Sequence, residues 1–179
     1  SCYNSLGNFK LAEVFARQAA GTARAKDNSA GEANALNILG RSYYQQGKIT
    51  RAIEVLKKAG VAREKSSDPA MLASDYLEIA GLYIKINQPA VAIRWAEKAA
   101  RLSADNKIDL KLGAAYETLA AAWEMEGDQQ QVSLYLKKLL QHKDSVAEEK
   151  YREAIAEMEV QFKTQQKANE NLELKKANL

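Results

Sequence analysis

The residues that could do chemistry are few. His142 is the only histidine, and it could act as a general base or a ligand, yet no nucleophile stands beside it in sequence. Cys2 is the only cysteine and cannot form an internal disulfide. One Cys and one His cannot together build a zinc site of the usual type. Glu117 with Glu124, and Glu153 with Glu157, are carboxylate pairs at helical spacing. Such pairs are usually solvated faces, and spacing alone makes no sugar-cleaving site. Each glycine is isolated, so no loop cradles a phosphate. No catalytic residue, metal or cofactor is therefore expected, and the chain reads as non-enzymatic. What remains is recognition: Tyr43, Tyr44 and Tyr3 could form an aromatic platform, but the repeat assigns Tyr43 and Tyr3 to packing and leaves Tyr44 open.

The elements that would position these residues are legible in the composition. The chain has 179 residues, 31 of them Ala, with nine Gly and two Pro. That mix favours helix and offers few places to break one. Its length suits one domain. The longest apolar runs, such as Leu119 to Trp123, fall far short of the ~20 residues that span a membrane, and no signal peptide is visible. Residue 1 is not Met, which points to a fragment. A net charge of +3 spread over the length gives no support to nucleic-acid binding.

A repeat organises the chain. Aromatics recur every 40 residues at Tyr3, Tyr43, Tyr83 and Trp123. Four residues after them stand Gly7, Gly47, Asn87 and Gly127, and nine after stand Ala12, Ala52, Ala92 and Val132. Three before the last three stand Gly40, Ala80 and Ala120. The aromatic fills the gap between two antiparallel helices, the small residues allow close approach, and Gly or Asn supplies a left-handed turn. The pattern predicts helices over 8–26, 30–46, 48–65, 69–86, 88–103, 107–126, 128–142 and 144–177, with a helix end over 1–6. Pro69 and Pro89 suit first helical turns. Asp68, Asp27 or Ser29, Asp105 and Asp128 are the expected N-caps.

Leu36, Leu39, Gly40, Tyr43, Gly47, Ala52, Leu56 and Ala59 make this segment resemble the tetratricopeptide repeat family. The resemblance covers residues 1 to about 142, although the family's usual unit is 34 residues. It implies an all-α, right-handed α-solenoid of antiparallel helix pairs. Residues 1–142 would hold one partial and three complete units (1–28, 29–68, 69–106, 107–142), and 143–179 a capping or coiled-coil-like helix.

Beyond His142 the repeat stops. Asp144 or Ser145 followed by Glu148 or Glu149 is a helix-capping signature. Tyr151, Ile155, Met158 and Phe162, spaced 4, 3 and 4, form the seam of a capping or pairing helix. Residues 143–179 carry seven basic and eight acidic residues, unlike a DNA-binding or membrane-surface helix. Lys143, Asp144 and Ser145, with Ile155 to Glu159, Phe162 and Leu174 to Lys176, resemble the segment after tetratricopeptide repeats in bacterial sensor proteins. That resemblance implies two-component signalling, an output domain beyond this fragment and a periplasmic location, with the cytoplasm as the alternative.

A solenoid of this kind lines its groove with the first helix of each unit. The outward positions there include Asn34, Asn37, Arg41 and Tyr44, then Lys85, then Glu117 and Glu124. These are the candidate partner-binding residues, suited to a protein or peptide whose charge changes along its length. The expected function is a sensory interaction module that relays binding through the C-terminal helix. Tyr151, Ile155, Met158 and Phe162 would pair it with a second copy. A free-standing adaptor is the alternative.

Overall fold

The computed structural model describes residues 9–177. They form α1 (Phe9–Ala25), α2 (Ser29–Gln45), α3 (Ile49–Glu64), α4 (Pro69–Lys85), α5 (Pro89–Asp105), α6 (Asp109–Glu126) and α7 (Gln129–Ala177), with no strand among the described residues. Cys2, Tyr3, Gly7 and the helix end expected over 1–6 lie outside the described residues.

Helices begin every 20 residues from Phe9 to Gln129, so the 40-residue period is two helices of nearly equal length. The turns repeat at the same interval. Gly47 and Gly127 take the left-handed conformation, with φ of 76° and 79°, and Asn87 joins them at 57°. Asp27, Ser67 and Lys107 do the same at the intervening turns, with φ between 51° and 54°. Non-glycine residues accept that strain of about 1–3 kcal/mol only when the surroundings hold them. Here the next N–H reaches back to satisfy a helix-end carbonyl: Asn28 to Ala23, Lys48 to Tyr43, Gln88 to Tyr83, Ile108 to Ser103 and Asp128 to Trp123.

The caps follow from these turns. The residue after the left-handed one becomes the cap, so Asn28 Oδ1 accepts from Gly31 N at 2.8 Å and Asp68 Oδ1 from Met71 N at 3.0 Å. Asp128 Oδ1 accepts from Gln131 N at 3.0 Å. The expectation of Asp27 or Ser29 is thereby corrected to Asn28. Asp105 closes α5, and Ile108 stands at the cap of α6 without a side-chain bond. Pro69 and Pro89 open α4 and α5 as expected.

The repeated apolar residues make the core. Leu39, Ile79 and Leu119 are buried, as are Tyr43 and Tyr83, with Ala52 and Ala92 between them. Each large side chain buried here contributes roughly 1.5–3 kcal/mol. Gly40 has a specific reason to lack a side chain. A Cβ there would lie 2.7 Å from Leu56 Cγ. One period later the same two positions hold Ala80 and Ala96, both buried in the same core.

Residues up to Leu139 form one compact unit and those from Leu140 a second. Within the first, Tyr135 of α7 meets Tyr116 of α6, ring centres 6.2 Å apart. The break expected between 142 and 144 is absent, because α7 runs unbroken from Gln129 to Ala177. No Gly or Pro follows Gly127, so the Asp144 capping signature has no preceding helix end to act on. His142 therefore sits inside a helix and not at its end. No helix among the described residues is long and apolar enough to cross a membrane.

Candidate interaction surfaces

Asn34, Asn37, Arg41 and Tyr44 fall on one side of α2, three or four residues apart. The structure spends the first three on holding helices together. Arg63 from the last turn of α3 and Asp75 from α4 are an almost fully buried ion pair, Nε to Oδ2 at 2.8 Å. Asn34 Oδ1 accepts from Arg63 Nη2 at 2.9 Å. Asn37 Nδ2 donates to Asp75 Oδ1 at 2.8 Å. Arg41 Nε donates to Glu78 Oε1 at 3.1 Å. A chain of polar contacts thus ties α2, α3 and α4. Burial pushes the Asp75 carboxyl above its ordinary value, against the opposing pull of the Arg63 guanidinium and the Asn37 amide.

Sequence reasoning missed Arg63, Asp75 and Glu78. A signal was available. One period on, the chain has Ser103, Ala115 and Thr118 at those positions, and one period before Arg63 and Asp75 it has Ala23 and Ala35. A charged pair in slots that are otherwise small is a departure from the repeat.

Tyr44 is treated differently. Its ring is 38% exposed, and Lys85 Nζ of α4 stands 5.7 Å from its centre. The pair joins an aromatic face to an exposed cation.

Residues 33–59, which run from Ala33 in α2 through the turn to Ala59 in α3, match the tetratricopeptide repeat model. Solved structures extend the likeness. Crystal structures of nearly identical TPR-like repeats from a Podosopora anserina protein described as kinesin light chain include one at TM-score 0.65 and 18% identity. That match covers 80% of this chain and 71% of the other. BtubC (BKLC) from P. vanneervenii superposes at TM-score 0.70 and 18% identity, over 81% of this chain and 60% of that one. The fold is a tetratricopeptide-like solenoid. Comparison with curated proteins finds no match.

In this tetratricopeptide-like frame, α2, α4 and α6 are the first helices of successive pairs. Glu117 and Glu124 are exposed on α6, about 10 Å apart along its axis. The Glu124 carboxylate makes no hydrogen bond or ion pair among the described residues. The candidate residues thus separate into a bonded network (Asn34, Asn37, Arg41), an exposed pair (Tyr44, Lys85) and two exposed acids. In the second unit, Tyr151 is 71% exposed, Met158 60% and Ile155 37%. Phe162 keeps their register, but its side chain lies outside the described residues. Arg152 Nη2 pairs with Glu148 Oε2 at 3.3 Å, one turn away. No three His, Cys, Asp or Glu side chains gather for a metal among the described residues.

Proposed function

We propose that the chain is a non-enzymatic protein-interaction scaffold that receives an extended protein or peptide segment across α2, α4 and α6. The observation that carries this is the exposed Tyr44–Lys85 pair. It stands beside a network that has already consumed the neighbouring amides, so an aromatic ring and a cation face outward from a fixed base. Lys85 makes one end basic, since Arg41 is paired with Glu78, and Glu124 makes the other acidic. A partner would run with its acidic end toward Lys85 and its basic end toward α6. The test is a photo-crosslinker at position 44 of the whole chain, followed by Tyr44→Ala and Lys85→Ala variants. Loss of the captured partner in both, with helicity unchanged, is expected. A partner that binds both variants as tightly as the parent would refute the site.

A finer reading makes this scaffold the sensory part of a bacterial two-component signalling protein, periplasmic in the sensors its tail resembles. Support comes from the 143–176 sequence and from α7, one helix that both carries Tyr135 against Tyr116 and runs on to Ala177. The exposed Tyr151, Ile155 and Met158 supply a seam for a second copy. Sedimentation of the full chain tests it. A dimer that becomes monomer on Ile155→Asp supports the relay, and a monomer at millimolar concentration removes it.

A further inference from the structure

The groove-side helices are not the only surface with shape. Two clefts lie along the second helices, α3 and α5, with volumes of about 650 and 530 Å³. They are the same cleft met twice. Glu54, Lys57, Lys58, Val61, Ala62 and Lys65 line the first, and the residues 40 positions on, Arg94, Glu97, Lys98, Arg101, Leu102 and Asp105, line the second. The clefts share a design: an apolar floor under a charged rim. Buried Ala62 floors the first, with exposed Val61 beside it, and Leu72, Tyr76 and Leu102 floor the second.

The rims lean to one sign. In the first, Arg24 is spent on Glu32, with Nε to Oε1 at 2.7 Å. Three lysines then face Glu54 alone. In the second, Arg94, Lys98 and Arg101 face Glu97 and Asp105. Lysine is the one charged residue common to both, at 58 and 98. Lys98 is held over Trp95 at 4.7 Å, which fixes its cation at the cleft edge. The chain's small net charge hides this, because Glu78, Glu117, Glu124 and Glu126 offset it on α4 and α6.

We propose that α3 and α5 form a second interaction surface that takes an acidic, extended peptide segment, seating an apolar side chain in the α5 cleft. Excess cations over an apolar floor favour carboxylates that flank an apolar residue. The inference is independent of the Tyr44–Lys85 site, since neither residue lines either cleft. Fluorescence anisotropy on the whole chain tests it, with a labelled peptide of glutamates around one central leucine. The expected result is binding that fades with salt and weakens about tenfold in Lys58→Glu with Lys98→Glu. The milder Lys58→Gln with Lys98→Gln should fall between, and Lys150→Glu, at an exposed lysine outside both sites, should leave binding unchanged. Absence of binding would overturn the proposal. So would equal binding of a lysine-for-glutamate peptide, displacement by a single-stranded oligonucleotide, or an equal loss in Lys150→Glu.

Discussion

The α2–α3–α4 junction and the α4–α5–α6 junction share one backbone and hold themselves together by different chemistry. The first buries Arg63 against Asp75 and links them to Asn34, Asn37 and Glu78. The second has Ser103, Ala115, Ser74, Leu77 and Thr118 in the corresponding places. Ser103 and Ala115 are completely buried there, and Tyr76 packs against Trp95 with ring centres 5.4 Å apart. The 40-residue period therefore specifies helix length, turn conformation and crossing, and leaves the fastening open. A buried ion pair is no stronger than an apolar fastening of the same volume, but it is far less tolerant of losing one member.

That difference gives the largest expected effects. Asp75→Ala should cost about 3–5 kcal/mol, because it strands a buried guanidinium. Arg63→Ser should cost a similar amount by stranding the carboxylate. The double variant Arg63→Ser with Asp75→Ala imports the second junction's residues, and its cost should fall well below the sum of the singles. Urea melts of the four proteins close this cycle. Additive costs would show that the two side chains do not act as a unit.

Packing volume gives the next effect. Leu56→Ala should cost about 2–5 kcal/mol as a cavity opens over Gly40. Gly40→Ala alone should cost about 1–3 kcal/mol, since its Cβ would overlap the Leu56 side chain and outweigh the gain in helix propensity. Together they recreate the Ala80 and Ala96 pairing of residue types found one period on. The double variant should be more stable than Leu56→Ala alone. If it is not, the two junctions differ in backbone spacing as well as in side chains.

The comparison also explains what could be read from the sequence. Elements that every unit must share were legible: the aromatic at 43 and 83, the small residue at 40, 80 and 120, and the left-handed turn at 47, 87 and 127. Turns at Asp27, Ser67 and Lys107 were not, because nothing in those side chains announces the conformation that the backbone bonds impose. Arg63 and Asp75 escaped because burial of a charge depends on a partner from another helix. For the same reason Asn34, Asn37 and Arg41 read as a recognition strip, whereas three helices converge on them. The expected end of a helix near His142 failed for a local reason: a start signal is no stop signal, and no breaker stands there.

Acid should act on two carboxylates in opposite directions. Glu13 Oε1 accepts from the Tyr43 hydroxyl at 2.6 Å, and that bond, with Arg17 beside it, holds the carboxyl below its ordinary value. Its contribution is present above the ordinary value and is lost as pH falls through the depressed one. Asp75 is raised by burial, so its contribution is complete below the ordinary value and is lost as pH rises through the raised one. Melting temperatures across about pH 3 to 6 should show the acid-side loss reduced in Glu13→Gln. An unchanged acid limb would mean that the Glu13–Tyr43 bond does not survive in solution.

The smallest expected effect sharpens the comparison most. Ser103 occupies the slot of Arg63 one period on, and its Oγ is buried without a hydrogen-bond partner among the described residues. A buried hydroxyl without a partner pays desolvation with no return, so removing it should be neutral or stabilising by up to about 1 kcal/mol. Ser103→Ala and Arg63→Ala alter the same place in the repeat, yet one should leave the midpoint of unfolding in place or raise it, and the other should lower it steeply. A clear loss in Ser103→Ala would mean that its hydroxyl finds an internal water. The second junction would then also be fastened through a polar contact, and the contrast between the two would be one of strength and not of kind.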